Sequence, residues 1–204
     1  MNPQIIKTFL VITASSLALA GPLFAVQATL DNLQKAHIGE LNAEARYLEF
    51  AAKADAEGYK SIATLFRAAA DSESVHARNF AETIVKMGAK PKTEMEKPVV
   101  KSTMENLESA LKGETAEKDT MYPTFWKQAS EAKQADAAMF FKAAMAAETE
   151  HAAFFRQALE KMDDWKAAGK EFAVCHVCGY TVMGNPPAKC PICASPREKF
   201  KVVK

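Results

Sequence analysis

Two separate stretches of the chain break their helical apolar stripe in the same way, with Glu-x-x-His on the face that should be buried. In the first, residues at steps of three and four give Ile62, Phe66, Ala69, Glu73, His76, Phe80 and Ile84. In the second they give Ala137, Phe141, Ala144, Glu148, His151, Phe155 and Met162. Two further stretches carry acid on the inner face. One reads Leu33, Glu40, Ala43, Tyr47 and Ala51, and the other Leu107, Leu111, Glu114, Glu117, Met121 and Phe125. The spacing from Glu40 to Glu73 is 33 residues and from Glu114 to Glu148 is 34, so the pattern is an internal repeat of two helical hairpins.

Four long helices are predicted from this periodicity and its punctuation. The first runs from Leu30 to Gly58 and the second from Tyr59 to Met87, with Gly88 as the stop. A crossover from Gly88 to Lys101 carries Pro91 and Pro98. Ser102-x-x-Glu105 is a capping box that opens the third helix, which reaches Lys133 with Pro123 as a kink or turn. The fourth runs from Ala135 to Trp165. The fold class expected is an all-α four-helix bundle over residues 29–166, followed by a small metal-binding β module over 167–204.

Ionised carboxylates converging inside a bundle cost several kcal/mol each unless compensated, and two multiply charged cations would supply the compensation. One Glu from each of two helices, with Glu-x-x-His from each of the other two, is the donor pattern of di-iron or di-manganese carboxylate bundles. Oxygen and nitrogen donors without thiolate suit iron or manganese better than a soft metal. The expected ligands are Glu40, Glu73, His76, Glu114, Glu148 and His151, with Glu117 as an additional carboxylate. Glu44 lies at the edge of the stripe, and His37 reads as a structural histidine one turn before Glu40.

All four cysteines fall near the C-terminus, as Cys175-x-x-Cys178 and Cys190-x-x-Cys193. Paired knuckles of this kind place four thiolates tetrahedrally around zinc or iron. Two disulfides are the competing reading in an exported chain, and spacing alone does not separate zinc from iron.

Between Lys7 and Asp31 no charged residue occurs. A short basic start, an apolar run and Gly21-Pro22 have the layout of a secretory signal peptide over residues 1–28, cleaved after Ala25 or Ala28. Without an Arg pair the general secretory route, and a periplasmic location, are expected. The alternative is an uncleaved anchor, since 23 uncharged residues can span a bilayer. Lys+Arg 26 against Asp+Glu 25 leaves a net charge of +1, which gives no basic field to gather nucleic acid.

From Leu30 to Lys204 the chain resembles the rubrerythrins, in which a ferritin-like di-iron bundle precedes a rubredoxin-like module. The resemblance rests on Gly39-Glu40 with Ala45-Arg46-Tyr47, Glu73-x-x-His76, Gly113-Glu114-x-x-Glu117 with Met121-Tyr122-Pro123, Glu148-x-x-His151, Cys175-x-x-Cys178-Gly179-Tyr180 and Cys190-Pro191-x-Cys193. It implies that Glu73 and Glu148 bridge two irons, that Glu40 and Glu114 are terminal ligands and that His151 binds one iron. The other iron would exchange between Glu117 when oxidised and His76 when reduced. Tyr47 and Tyr122 would hydrogen-bond the site's carboxylates. The implied activity is NADH- or rubredoxin-linked reduction of hydrogen peroxide in oxidative-stress defence. Electrons from an unidentified donor protein would pass through a Cys175, Cys178, Cys190 and Cys193 iron centre to the bundle of a partner in a head-to-tail homodimer. A ferroxidase, or an iron-storage protein with a structural zinc ribbon, is the alternative. The leader segment departs from many members of the family.

Overall fold

The structure is a computed structural model that describes residues 17–204, with side chains from Leu23 onward. The basic start and most of the apolar run of the expected signal segment lie outside the described residues. Five helices precede three strands: α1 (Leu17–Ala56), α2 (Lys60–Lys86), α3 (Thr103–Ala116), α4 (Tyr122–Glu131), α5 (Ala135–Glu160), β1 (Phe172–Cys175), β2 (Thr181–Met183) and β3 (Phe200–Val203). α1 pairs with α2, and α3 and α4 together pair with α5, giving the two hairpins of a four-helix bundle. Among the described residues no helix is long and apolar enough to cross a membrane.

The helix ends follow the local chemistry. Gly88, at φ +82, closes α2 by letting Ala89 N–H reach back to the Ile84 carbonyl at 3.1 Å. The Ser102 hydroxyl accepts from Glu105 N–H at 3.3 Å, and Glu105 Oε2 accepts from Ser102 N–H at 3.2 Å, completing the capping box that opens α3.

Three expected boundaries are corrected. Among the described residues the first helix already runs from Leu17, upstream of the expected Leu30, because the Ala- and Leu-rich sequence on either side of Gly21-Pro22 carries the helix through that step. Among the described side chains Thr29 is nevertheless the first that is fully buried. The fourth bundle helix stops at Glu160, and Met162–Trp165 form a separate tight turn. The third does not run unbroken to Lys133. Between α3 and α4 the helix widens over Glu117–Met121, where Tyr122 N–H bonds the Glu117 carbonyl five residues back. Pro123 has no N–H to give, and the wide turn absorbs the missing bond just before it.

Two aromatic clusters fill the bundle on either side of a polar layer. One holds Tyr47, Phe50, Phe66 and Phe155, and the other holds Phe80, Tyr122, Phe125 and Phe141. The rings lie 5.3–6.4 Å apart within each cluster and exclude water from the layer between them.

The C-terminal module is an antiparallel sheet in the order β2-β1-β3, with Phe172 opposite both Met183 and Val203. It lies against its own bundle. The connection is tied to the bundle by hydrogen bonds: Lys60 N–H, at the uncapped start of α2, donates to the Lys166 carbonyl at 2.9 Å, and Ser61 Oγ donates to the Ala167 carbonyl at 2.5 Å. Trp165 and Phe172 stack at 6.3 Å, and Phe172 meets Phe154 edge-on at 5.4 Å.

Candidate metal centres

In the polar layer, α1 supplies Glu40, α2 supplies Glu73 and His76, α3 supplies Glu114, and α5 supplies Glu148 and His151. All six are essentially fully buried. They form two nests, in each of which one donor atom per residue lies within 4.8 Å of the others. The first is Glu40, Glu73, His76 and Glu148, and the second is Glu73, Glu114, Glu148 and His151. Glu73 and Glu148 belong to both nests, a consequence of α2 and α5 packing side by side with their Glu-x-x-His faces toward the same layer.

The spare atoms of these side chains fit a pair of cations. Glu40 Oε2, Glu73 Oε1, Glu114 Oε2, both oxygens of Glu148 and His151 Nδ1 are buried without a hydrogen-bond partner. The outer oxygens are occupied. Tyr47 donates to Glu114 Oε1 at 2.6 Å, and Tyr122 donates to Glu40 Oε1. Each tyrosine thus takes one oxygen of a carboxylate contributed by a single nest and leaves the other facing inward. Such a concentration of unpaired anionic oxygen is costly unless metal ions complete it.

The electrostatics show the same demand. Burial, reinforced by the charge of Glu73, pushes the Glu40, Glu114 and Glu148 carboxyls above their usual range. Glu73 alone is held low, at about 2, because its burial is outweighed by the neighbouring His151 and by His76, whose Nδ1 lies 2.9 Å from Glu73 Oε2. Burial opposes a charge on His151, but Glu114, Glu148 and Glu73 around it raise its affinity for a proton well above the ordinary imidazole value. Metal ions would take the place of these protons.

Glu117 sits half-buried at the start of the wide turn and outside both nests. Burial and the neighbouring Glu114 charge raise its carboxyl well above the ordinary range. Glu44 is also outside, at the half-exposed edge. His37 is structural, with Nδ1 2.9 Å from the Ala77 carbonyl.

In the module, Cys175 Sγ is 3.7 Å from Cys193 Sγ and Cys178 Sγ is 3.6 Å from Cys190 Sγ, and all four are free thiols rather than disulfides. Tetrahedral coordination at about 2.3 Å per sulfur requires sulfurs roughly 3.8 Å apart, so the four thiols are spaced for one ion. Each knuckle folds back through a residue with positive φ after its second cysteine, Gly179 at +84 and Ala194 at +58. The hydrogen bond between Cys178 and Cys175 lowers the Cys175 thiol to about 5 and raises that of Cys178, so a thiolate is already favoured.

The family model described as "Rubrerythrin" matches residues 31–159. The chain belongs to the rubrerythrin family. A second model, "Rubrerythrin, rubredoxin-like domain", matches residues 174–201. Among curated relatives, nigerythrin of Nitratidesulfovibrio vulgaris is 36% identical over 181 residues, covering 86% of this chain and 87% of its own. A putative rubrerythrin of Methanocaldococcus jannaschii is 34% identical, covering 87% of this chain and 93% of its own. The solved structure of fully reduced nigerythrin superposes with a TM-score of 0.78 at 35% identity, over 85% of this chain and 86% of the other. A Desulfovibrio desulfuricans bacterioferritin superposes at 0.65 and 25% identity, over 71% of this chain and 85% of its own. This rubrerythrin-family chain therefore combines a ferritin-like di-iron site with a rubredoxin-like four-cysteine site, as the donor sets require.

Sequence spacing missed the contacts between the two centres. Ser72 Oγ donates to the Gly179 carbonyl at 2.7 Å, Asn79 Nδ2 donates to the Val177 carbonyl at 3.0 Å, and Asp71 accepts from Lys201 at 3.0 Å and pairs with His176 at 2.8 Å. Gly179 leans so close to His76 that a Cβ there would collide with the imidazole ring. No periodicity within either module registers such pairs, because the partners are about a hundred residues apart.

Proposed function

We propose that this protein reduces hydrogen peroxide to water, taking two electrons and two protons per molecule, with the electrons delivered by a donor protein through the four-cysteine iron. The observation that carries this reading is the placement of the four-cysteine module against His76 of the same chain, beside two nests that share Glu73 and Glu148. A storage protein has no use for a thiolate site at that position.

The shared carboxylates would bridge, Glu40 and His76 would complete one iron position, and Glu114 and His151 the other. When bound, two ferrous ions supply one electron each to the O–O bond and accept one electron at a time on re-reduction. Tyr47 and Tyr122 hold Glu114 and Glu40 in place by charge-assisted hydrogen bonds, and the two aromatic clusters keep bulk water from the site. Glu117, outside the nests and with its carboxyl pushed up by burial and by Glu114, would deliver a proton and alternate with His76 as a ligand.

Within one chain the electron path needs no second copy. A head-to-tail homodimer would reproduce the same contacts by exchanging modules between copies. We propose export to the periplasm, with cleavage after Ala25 or Ala28, on the ground that Thr29 is the first fully buried residue among the described side chains.

The test is anaerobic. Iron-loaded, reduced protein is mixed with peroxide or O₂ while the absorbance of both centres is followed. Rapid oxidation of the di-iron pair and then of the thiolate iron, far faster with peroxide, is expected. Cys190→Ser should retain the single turnover and lose sustained reduction. Equal rates with O₂ would turn the reading to a ferroxidase.

A further inference from the structure

Both nest histidines turn their outer nitrogen toward the cysteine module, but only one of them finds a side chain there. His151 Nε2 lies 3.0 Å from Thr181 Oγ1, and both residues are fully buried. The same hydroxyl is 3.1 Å from the Gly179 carbonyl, which also accepts from Ser72 Oγ at 2.7 Å. A carbonyl oxygen only accepts, and a hydroxyl has one hydrogen. The Thr181 hydrogen therefore goes to Gly179, and the Thr181 lone pair faces His151. This leaves His151 as the donor, with its proton on Nε2.

A neutral imidazole protonated at Nε2 has its free lone pair on Nδ1. That atom is the one aimed into the second nest, 3.4 Å from Glu73 Oε1, 3.6 Å from Glu114 Oε2 and 3.0 Å from Glu148 Oε2. His76 is different. Its Nδ1 faces Glu73 at 2.9 Å, while its Nε2 is buried against Gly179 with no partner.

We infer that Thr181, a residue of the cysteine module, is a positioning residue for the bundle's metal pair, fixing the tautomer and ring plane of His151. The module then does more than carry electrons: it completes the support of a ligand on α5, and the second nest is not fully organised without it. The outer hydrogen bond of a ligating imidazole is usually supplied by a carboxylate, carbonyl or water, and its loss weakens metal binding about 10- to 100-fold. Among the described residues Thr181 is the only hydrogen-bond partner of His151 Nε2. His76 Nε2 has no equivalent partner among the described residues.

This inference rests on the metal-ligand reading of the nests but not on the peroxide reaction, so its test uses no peroxide. Full-length protein with zinc in the four-cysteine site is titrated with cobalt(II) against a competing chelator, as wild type, Thr181→Val and Thr181→Ser. Valine keeps the shape and removes the acceptor, so one bundle site should weaken about 10- to 100-fold while the other changes little, and serine should restore wild-type affinity. In metal-free ¹⁵N-labelled protein, the His151 Nε2 proton should exchange slowly in wild type and Thr181→Ser and be lost from view in Thr181→Val. Two cobalt sites of wild-type affinity in Thr181→Val would overturn the proposal. Should Thr181→Val fail to fold, wild type decides alone: a His151 Nε2 proton that exchanges at the rate of a solvent-exposed imidazole refutes it, and a slowly exchanging one upholds it.

Discussion

Stripping the metal from the bundle while leaving the four-cysteine site filled should destabilise the protein, and more so as pH rises. Glu40, Glu114, Glu117 and Glu148 have carboxyls raised by burial and by one another, above the ordinary value of 4.5. A group whose folded pKa is raised contributes stability that is full below its unfolded pKa and is lost as pH climbs through the folded value. His151 has the same sign, its stabilisation being full below about 6.5 and lost above. Glu73 has the opposite sign, but its contribution is lost only as pH falls from 4.5 toward about 2. Between pH 5 and 8 every active group therefore pushes the metal-free melting temperature downward with rising pH. Metal reverses this by replacing the protons. At free metal about a thousandfold above each dissociation constant, a site contributes roughly 4 kcal/mol, so two nests contribute about 8 kcal/mol. In a chain of this size that is roughly 16–32 °C of melting temperature. Differential scanning calorimetry at pH 5, 6, 7 and 8, with and without manganese(II), which has little affinity for thiolates, measures both effects. A metal-free melting temperature that rises with pH, or a manganese effect under about 3 °C at pH 8, would refute the reasoning.

Two stability predictions follow from the module. Trp165→Ala removes a nearly fully buried ring that stacks on Phe172, and should cost about 3–5 kcal/mol, read as a drop in the urea midpoint; an unchanged midpoint would mean that the stack does not hold the module. Ala194 occupies a left-handed conformation at φ +58 where its neighbour knuckle uses glycine, so Ala194→Gly should relieve about 1 kcal/mol and raise the melting temperature by roughly 2–4 °C, whereas a decrease would contradict the strain.

The bundle and the clustering of its candidate donors were legible because periodicity and chemistry coincide there. Glu73, His76, Glu148 and His151 stand out only against an apolar stripe, and the stripe itself fixes which way they face. The capping box at Ser102 and the stop at Gly88 were equally local, and both are present. Pro123 announced an interruption but not its form, since a kink, a turn and a widened helix all answer a missing N–H. The start of α1 was obscured because a signal-like apolar run and a helix draw on the same residues. Thr181 was beyond reach: a threonine after a knuckle has no spacing signature, and its partner His151 is 30 residues earlier on another element.

The hydrogen-bonded connection between α5 and β1 bears on how such a protein can be rearranged over evolutionary time. The Lys166 carbonyl serves as the missing cap of α2, and Phe172, backed by Trp165, covers Phe154 at the end of the bundle. A descendant that lost the cysteine module would need a new partner for Lys60 N–H and a new cover for that aromatic floor. A descendant that gained a different C-terminal partner would need the same two things in the same place. The two halves are distinct in their chemistry, yet deletion or exchange of one is not a neutral cut at a flexible seam. It uncovers the start of α2 and the Phe154 ring on α5.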